Sequence, residues 1–401
     1  MENKLTNFFE NFITKEPFFI NKKVLQGNYT PENILHREQQ ITQIAEVLAP
    51  VLRMEKPSNV FLFGKTGSGK SLVATYTTNK ISEIAEKNKI PIKIFYLNCK
   101  LKRVADTEYR LISQLCRDFG VEVPSTGLPT DEIYKIFVKS LEKDKILLII
   151  VLDEIDQLVN KTGDEILYNL TRLNLELKES QISFIGISND LMFTDNLDPR
   201  VKSSLSEEEF VFPPYDALQL QQILNERAKL AFKEGIIEEG VIEKCAAHAA
   251  REHGDARRAL ELLRVAGEIA ERKNNLKITI KHIDMAQAKI ERDRVLDIIR
   301  TQPKQFKITL YSILESTKNK SGKIRTGEIY DSYKETCKKC FVKPLTQRRL
   351  SDIIAEFDML GIINARVISK GRGGRTREIG LVVPSSTIPK IYDCLKEGLN
   401  L

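Results

Sequence analysis

Eight residues, Gly64-Lys65-Thr66-Gly67-Ser68-Gly69-Lys70-Ser71, follow the spacing G-x-x-x-x-G-K-[ST] and leave few folds open to the chain. An apolar run, Val60 to Phe63, precedes them and a helically spaced segment, Leu72 to Ile81, follows, so the loop joins a strand to a helix N-terminus. Glycines let backbone N–H groups turn onto phosphate oxygens where a side chain would block approach. The helix end adds partial positive charge. Lys70 is placed to reach β- and γ-phosphates, and the Ser71 hydroxyl to ligate Mg²⁺.

A second motif answers the first. Ile146 to Leu152 is a continuous apolar run ending in Asp153-Glu154-Ile155-Asp156. A strand buried on both faces reads this way, and it delivers two carboxylates to the carboxyl edge of a parallel sheet, where open α/β folds bind ligands. Asp153 is expected to orient Mg²⁺ through its water shell and Glu154 to polarise the water that attacks the γ-phosphate. The strands Ile92–Leu97, Ile182–Ile187 and Phe210–Phe212 complete a parallel set. The second of these ends at Ser188-Asn189, a polar amide that can hold the attacking water or read the γ-phosphate, or serve simply as the turn residue after the strand. Leu197-Asp-Pro-Arg200 follows, its arginine equally readable as a surface cation or as one that reaches a phosphate.

Length sets the domain count. At 401 residues two or three domains are expected. No run approaches a membrane span and the N-terminal stretch lacks an apolar signal core, so a cytoplasmic, nucleoid-associated protein without membrane contact is the expectation. Six scattered cysteines read as reduced thiols, Cys337 and Cys340 having no second pair to complete a zinc site. The net charge of +7 is unevenly spread: residues 301–401 hold 19 Lys and Arg against 10 Asp and Glu, and the first 300 hold 43 against 45. The basic excess therefore lies in the last quarter, which points to nucleic acid bound mainly there.

Between those ends the chain reads as a phenylalanine-rich arm (Phe8, Phe9, Phe12, Phe18, Phe19), the ATPase base to residue 214 with an insert near 98–141, and an all-helical segment over 215–295. The insert is longer than one crossover between parallel strands requires and holds Lys100, Lys102 and Arg103. Gly254-Asp255 caps a helix whose first turn carries Arg257 and Arg258, cations opposed to the helix dipole unless an anion neutralises them. Residues 296–401 read as three helices followed by two alternating strands around Gly371-Arg-Gly-Gly-Arg375, the pattern of a winged helix. Gln347, Arg348 and Arg349 open the third helix and are the candidates for base or phosphate contacts; Arg366, Lys370, Arg372, Arg375 and Arg377 are the candidates on the wing.

Taken together these motifs resemble the archaeal initiator family related to the eukaryotic origin recognition complex and its cell-division-cycle partner, within the AAA+ ATPases. The likeness also rests on His36-Arg37-Glu38 ahead of the first helix and on Leu197-Asp-Pro-Arg200-Val-Lys-Ser-Ser204. The resemblance implies an α/β AAA+ phosphate-loop NTPase with a five-stranded parallel sheet, an all-α lid and a C-terminal winged helix. It implies ATP or ADP with Mg²⁺ as ligands, with His36 and Arg37 beside the nucleotide, Asn189 as sensor one, Arg257 as sensor two, and Arg200 directed at a neighbouring subunit's nucleotide. The implied activity is slow, switch-type ATP hydrolysis. The implied partners are double-stranded origin DNA, a replicative helicase of the MCM type, and paralogous initiator subunits. The same parts would also serve a branch-migration type DNA motor or an ATP-sensing transcriptional regulator.

Overall fold

The computed structural model describes residues 16–27, 29–100, 107–124, 127–205, 207–318, 324–369, 375–384 and 387–401. It divides into two compact units, 1–283 and 284–401.

The first unit is built on a sheet of β1 (Asn59–Gly64), β2 (Ile92–Asn98), β3 (Leu147–Asp153), β4 (Gln181–Ser188) and β5 (Glu207–Phe212), all parallel in the order β2-β3-β4-β1-β5. Between their polar ends the central strands are mostly apolar, because helices cover both faces. On one face Phe61, Phe63, Leu148, Ile150, Leu152 and Phe184 share a core with helices of the β2–β3 connection. On the other, Val60, Leu62, Ile149, Val151, Ile185 and Ile187 pack with α1 (Glu38–Leu48) and α2 (Lys70–Asn88). Val60 pairs with Ile185, and Asp153 with Ile187, so the ends of β1, β3 and β4 emerge at one edge.

The expected insert resolves into two helices, α3 (Glu108–Asp118) and α4 (Thr130–Asp144), whose buried Leu111, Ile112, Leu115, Ile133, Phe137 and Leu141 face that first core. The lid contains α5 (Ala217–Ala231), α6 (Val241–Arg251) and α7 (Ala256–Arg272). Asp216 opens α5 with a capping box closed by Gln219, and Asp255 caps α7 by accepting from the backbone N–H of Arg257 and Arg258. Of the aromatic arm, Phe18 is buried, and Phe19 stacks on Phe232 at 4.6 Å between ring centroids. The arm thus packs on the lid; Phe8, Phe9 and Phe12 lie outside the described residues.

The second unit holds α8 (Lys304–Lys318), α9 (Thr326–Lys339) and α10 (Gln347–Met359), then a three-stranded antiparallel sheet of β6 (Ile324–Arg325), β7 (Ile363–Ser369) and β8 (Arg375–Leu381) in the order β6-β8-β7. A closing helix, α11 (Ile388–Leu399), was not expected from the sequence. Its signals were Pro389 in the first turn and the spacing of the buried Ile391, Leu395 and Leu399. Among the described residues no helix is long and apolar enough to cross a membrane, and no cluster of His, Cys, Asp and Glu could hold a metal. All six cysteines are free thiols.

Candidate nucleotide site and nucleic-acid interface

The loop leaves β1 at Gly64 and enters α2 at Lys70, so its backbone must reverse within five residues. Gly67 and Gly69 supply the turn with φ of 76° and 95°. A Cβ on Gly67 would stand 1.9 Å from Asp255 Oδ1, and one on Gly69 would stand 2.8 Å from the Tyr215 hydroxyl. Both positions therefore exclude any side chain, by conformation and by space. The loop bears directly on the lid, whose Ala256 N–H donates to Gly67 O at 3.3 Å.

Lys70 is 5% exposed, and its ammonium donates to Gly64 O (2.7 Å), Lys65 O (2.9 Å) and Asn189 Oδ1 (3.0 Å). Burial depresses its pKa to about 8, against the opposing pull of Asp153. The bond to Asn189 ties the end of β4 to the loop, so two residues that the sequence separates by 119 positions meet at one cation. Lys65 and Thr66 are exposed, and Ser68 is buried, its hydroxyl without a partner among the described residues.

Asp153 ends β3 with 8% exposure. Glu154, at φ 57°, turns the chain into the next helix, and its carboxylate lies 3.5 Å from Lys100 Nζ. Asp156 is buried and accepts from the Ser188 hydroxyl at 3.0 Å, fastening this helix to β4. A cavity of about 840 Å³ opens over the loop. Gly67, Gly69, Ser71, Asp153 and Arg257 line it, together with residues 29–35 and the lid's Ile223 and Leu230. The mixture of glycine backbone, hydroxyl, carboxylate, guanidinium and apolar wall, next to the loop that roots Lys70, fits a nucleoside triphosphate. The hard oxygens of Ser71 and Asp153 fit Mg²⁺, and the orphaned Ser68 hydroxyl is a further polar group held at the loop.

Several sequence candidates occupy other roles. Arg37 is 2% exposed and donates from Nε, Nη1 and Nη2 to Ser68 O (2.9 Å), His36 O (2.8 Å) and Pro213 O (2.6 Å), with the guanidinium 3.9 Å from the centre of the Tyr215 ring. It braces the loop from behind instead of facing the cavity. His36, at φ 61°, likewise does not line the cavity, and its Nε2 is buried without a partner among the described residues. Arg258 is neutralised by the protein itself, donating to Glu252 at 3.0 Å, so only Arg257 of the pair lines the cavity. Arg200 is 83% exposed, paired with Asp198 at 3.1 Å and away from the cavity. Tyr96, which the sequence reading passed over, lines the cavity and donates to Asp153 Oδ2. Its signal was the alternation of β2, which puts Tyr96 on the same face as Asn98.

Arg37→Ala is expected to destabilise the free protein by about 2–4 kcal/mol, since it strips buried carbonyls of a charged donor and removes a stacked guanidinium. Chemical denaturation with an unchanged m-value would check it.

In the second unit Thr346 caps α10, accepting from Arg349 N–H, and leaves Gln347, Arg348 and Arg349 exposed in its first turn. Among the described residues Arg349 pairs with Asp352, 3.8 Å away. Arg366 is exposed on β7 opposite Glu378. Arg377 departs from the expectation of a wing contact: it donates to Ser351 O at 2.7 Å and so braces α10 against β8. Arg375 pairs with Ser369 at the base of the wing, and Lys370 and Arg372 lie outside the described residues.

Comparison with known proteins decides the family. Residues 53–191 match the AAA domain family, 221–288 the Cdc6 AAA+ ATPase-type lid domain and 297–390 the CDC6 C-terminal winged helix domain. The chain is 52% identical over 396 residues to the ORC1-type DNA replication protein of Pyrococcus furiosus, covering 97% of this chain and 94% of that protein. The Thermococcus onnurineus protein of the same name is 51% identical over 395 residues, covering 98% and 94%. The chain belongs to the ORC1-type DNA replication protein family. Its similarity extends to the solved structure of the Aeropyrum pernix ORC1 protein in complex with DNA, at 45% identity and a TM-score of 0.82 over 96% of this chain and 98% of that one. Cdc6p from Pyrobaculum aerophilum shares the fold at 22% identity and a TM-score of 0.58. This ORC1-type chain is thus an AAA+ ATPase-type base and lid joined to a winged helix.

Proposed function

We propose that this ORC1-type protein is an ATP-dependent replication initiator that binds origin duplex DNA through its winged helix and recruits or loads a replicative helicase of the MCM type. The observation that carries the reading is the near full-length similarity to an ORC1 protein solved with DNA, in a chain that holds both a phosphate loop and an exposed arginine pair at the head of α10. The ligand is ATP or ADP with Mg²⁺, which supplies charge neutralisation between the phosphates when bound. Lys70 moves its proton-bearing donors from Gly64 O and Lys65 O to the phosphates. Glu154 is the base that positions water, once released from Lys100. Asn189 aligns that water, and Arg257 carries nucleotide state to the lid. Hydrolysis acts as a slow switch, with the exposed Arg200 exchanging Asp198 for the nucleotide of a neighbouring paralogous subunit. The protein works in the cytoplasm on the nucleoid.

ATP affinity is expected to fall as pH rises through about 8. Lys70, depressed by burial, loses its proton there in the free protein, while bound phosphates hold it protonated; binding therefore takes up a proton, and affinity drops by up to tenfold per pH unit. Titration of a fluorescent ATP analogue between pH 6.5 and 9.5 checks this, with Lys70→Arg giving a flat profile.

Mapping DNA crosslinked to the protein in its own cells tests the initiator role. Sharp peaks at replication start sites are the expected result. Peaks confined to promoters would sink it in favour of a regulator.

A further inference from the structure

β2 is an edge strand, and its register sets Asn98 beside Asp153 and Tyr96 beside Val151. Tyr96 is therefore one pleat back from Asp153 on the neighbouring strand, a diagonal step that a tyrosine ring is long enough to span. Its hydroxyl donates to Asp153 Oδ2, and the Ser71 side chain lies beside the same phenol. Among the described residues this is the side-chain hydrogen bond that the Asp153 carboxylate receives. Tyr96 is 42% exposed and lines the cavity, so its ring is not held there by core packing.

We infer that Tyr96 is a positioning residue for the magnesium site: its hydroxyl fixes one oxygen of Asp153, so that the other is presented beside the Ser71 hydroxyl. This rests on the ATP and Mg²⁺ reading above. The physical reason lies in the aspartate itself. Its terminal torsion is broad, and an unheld carboxylate samples many orientations of which few suit a metal-bound water shell. A hydrogen bond from outside the metal's own ligands narrows that range, and loss of such a partner typically costs about 10–100-fold in metal affinity. The phenol suits the task because it donates to the carboxylate without bringing a charge that would compete with the cation.

The test uses the full chain and a fluorescent ATP analogue, titrated with Mg²⁺ and, separately, in EDTA. Tyr96→Phe keeps the ring and the strand and removes only the hydroxyl, with its bond to Asp153 and its contact with Ser71. The Mg²⁺ concentration for half-maximal nucleotide binding is expected to rise about tenfold or more, while affinity in EDTA stays within about twofold. In an Asp153→Asn background, Tyr96→Phe should add nothing, because its effect passes through that carboxylate. An unchanged Mg²⁺ midpoint would overturn the inference, as would a tighter one, which would mean the phenol obstructs the cation. An equal loss in EDTA would also overturn it, by making Tyr96 a nucleotide contact. Wild-type binding that ignores Mg²⁺ would defeat the magnesium reading itself and this inference with it; a normal wild-type response confines any failure to Tyr96.

Discussion

Lys70→Ala is expected to lower ATP affinity at least 100-fold while leaving DNA affinity within about twofold. The ammonium is rooted in the phosphate loop and buried there, and a charge-assisted hydrogen bond to phosphate in such a site is worth about 2–4 kcal/mol. The stability of the free protein should change little. Alanine forfeits three hydrogen bonds, but it also removes a cation whose burial depresses its pKa to about 8. The clear readout is thermal: ATP raises the wild-type midpoint by mass action, and the variant's midpoint ignores it. DNA affinity measured on the same preparation decides whether the two ligands use separable sites. Simultaneous loss of both would defeat the division between an ATPase base and a DNA-binding winged helix.

Replacing Arg348 and Arg349 together with alanine should weaken duplex binding by about 2–4 kcal/mol, roughly 30- to 1000-fold. Both side chains are exposed at the head of α10, and the Arg349–Asp352 pair at 3.8 Å is a surface ion pair of small worth, so neither arginine is committed within the fold. For every phosphate that the variant no longer neutralises, the dependence of log affinity on log salt should also flatten by about 0.9. A slope unchanged in the double variant, with affinity still reduced, would assign the pair to base edges; no change in either would remove α10 from the interface. Thermal stability should hold, since exposed side chains away from caps and cores contribute little. Arg377→Ala is the informative contrast. Its bond to Ser351 O supports α10, so its removal should affect DNA binding through the helix's position.

The parts that were legible in the sequence are those whose physics is local. The glycine spacing dictates a loop that only a strand-to-helix junction can hold. The run Ile146–Leu152 is apolar at successive positions, which a strand covered on both faces requires, and the structure buries every residue of β3. Asp255 reads as a cap from its place before an apolar helix, and it accepts from both arginine N–H groups. The closing helix α11 carries equally local signals, Pro389 in its first turn and the spacing of Ile391, Leu395 and Leu399, which the reading of a terminal hairpin leaves unused. His36 and Arg37 were assigned by likeness of motif, and a motif gives position along the chain without saying where five guanidinium donors point.

The sequence by itself determined the phosphate loop, the acidic strand end and the periods of the individual strands and helices, because each follows from spacing within a dozen residues. Only the tertiary structure decided which polar groups remain for ligands. Arg37 is spent on carbonyls 31 and 176 residues away, Arg377 on one 26 residues away, and Arg258 on Glu252 and Glu261, while Arg257 is left to line the cavity. Tyr96 reaches Asp153 across 57 residues. Which donors are used up depends on register between strands and on where a lid comes to rest, and those are set by packing of the whole domain.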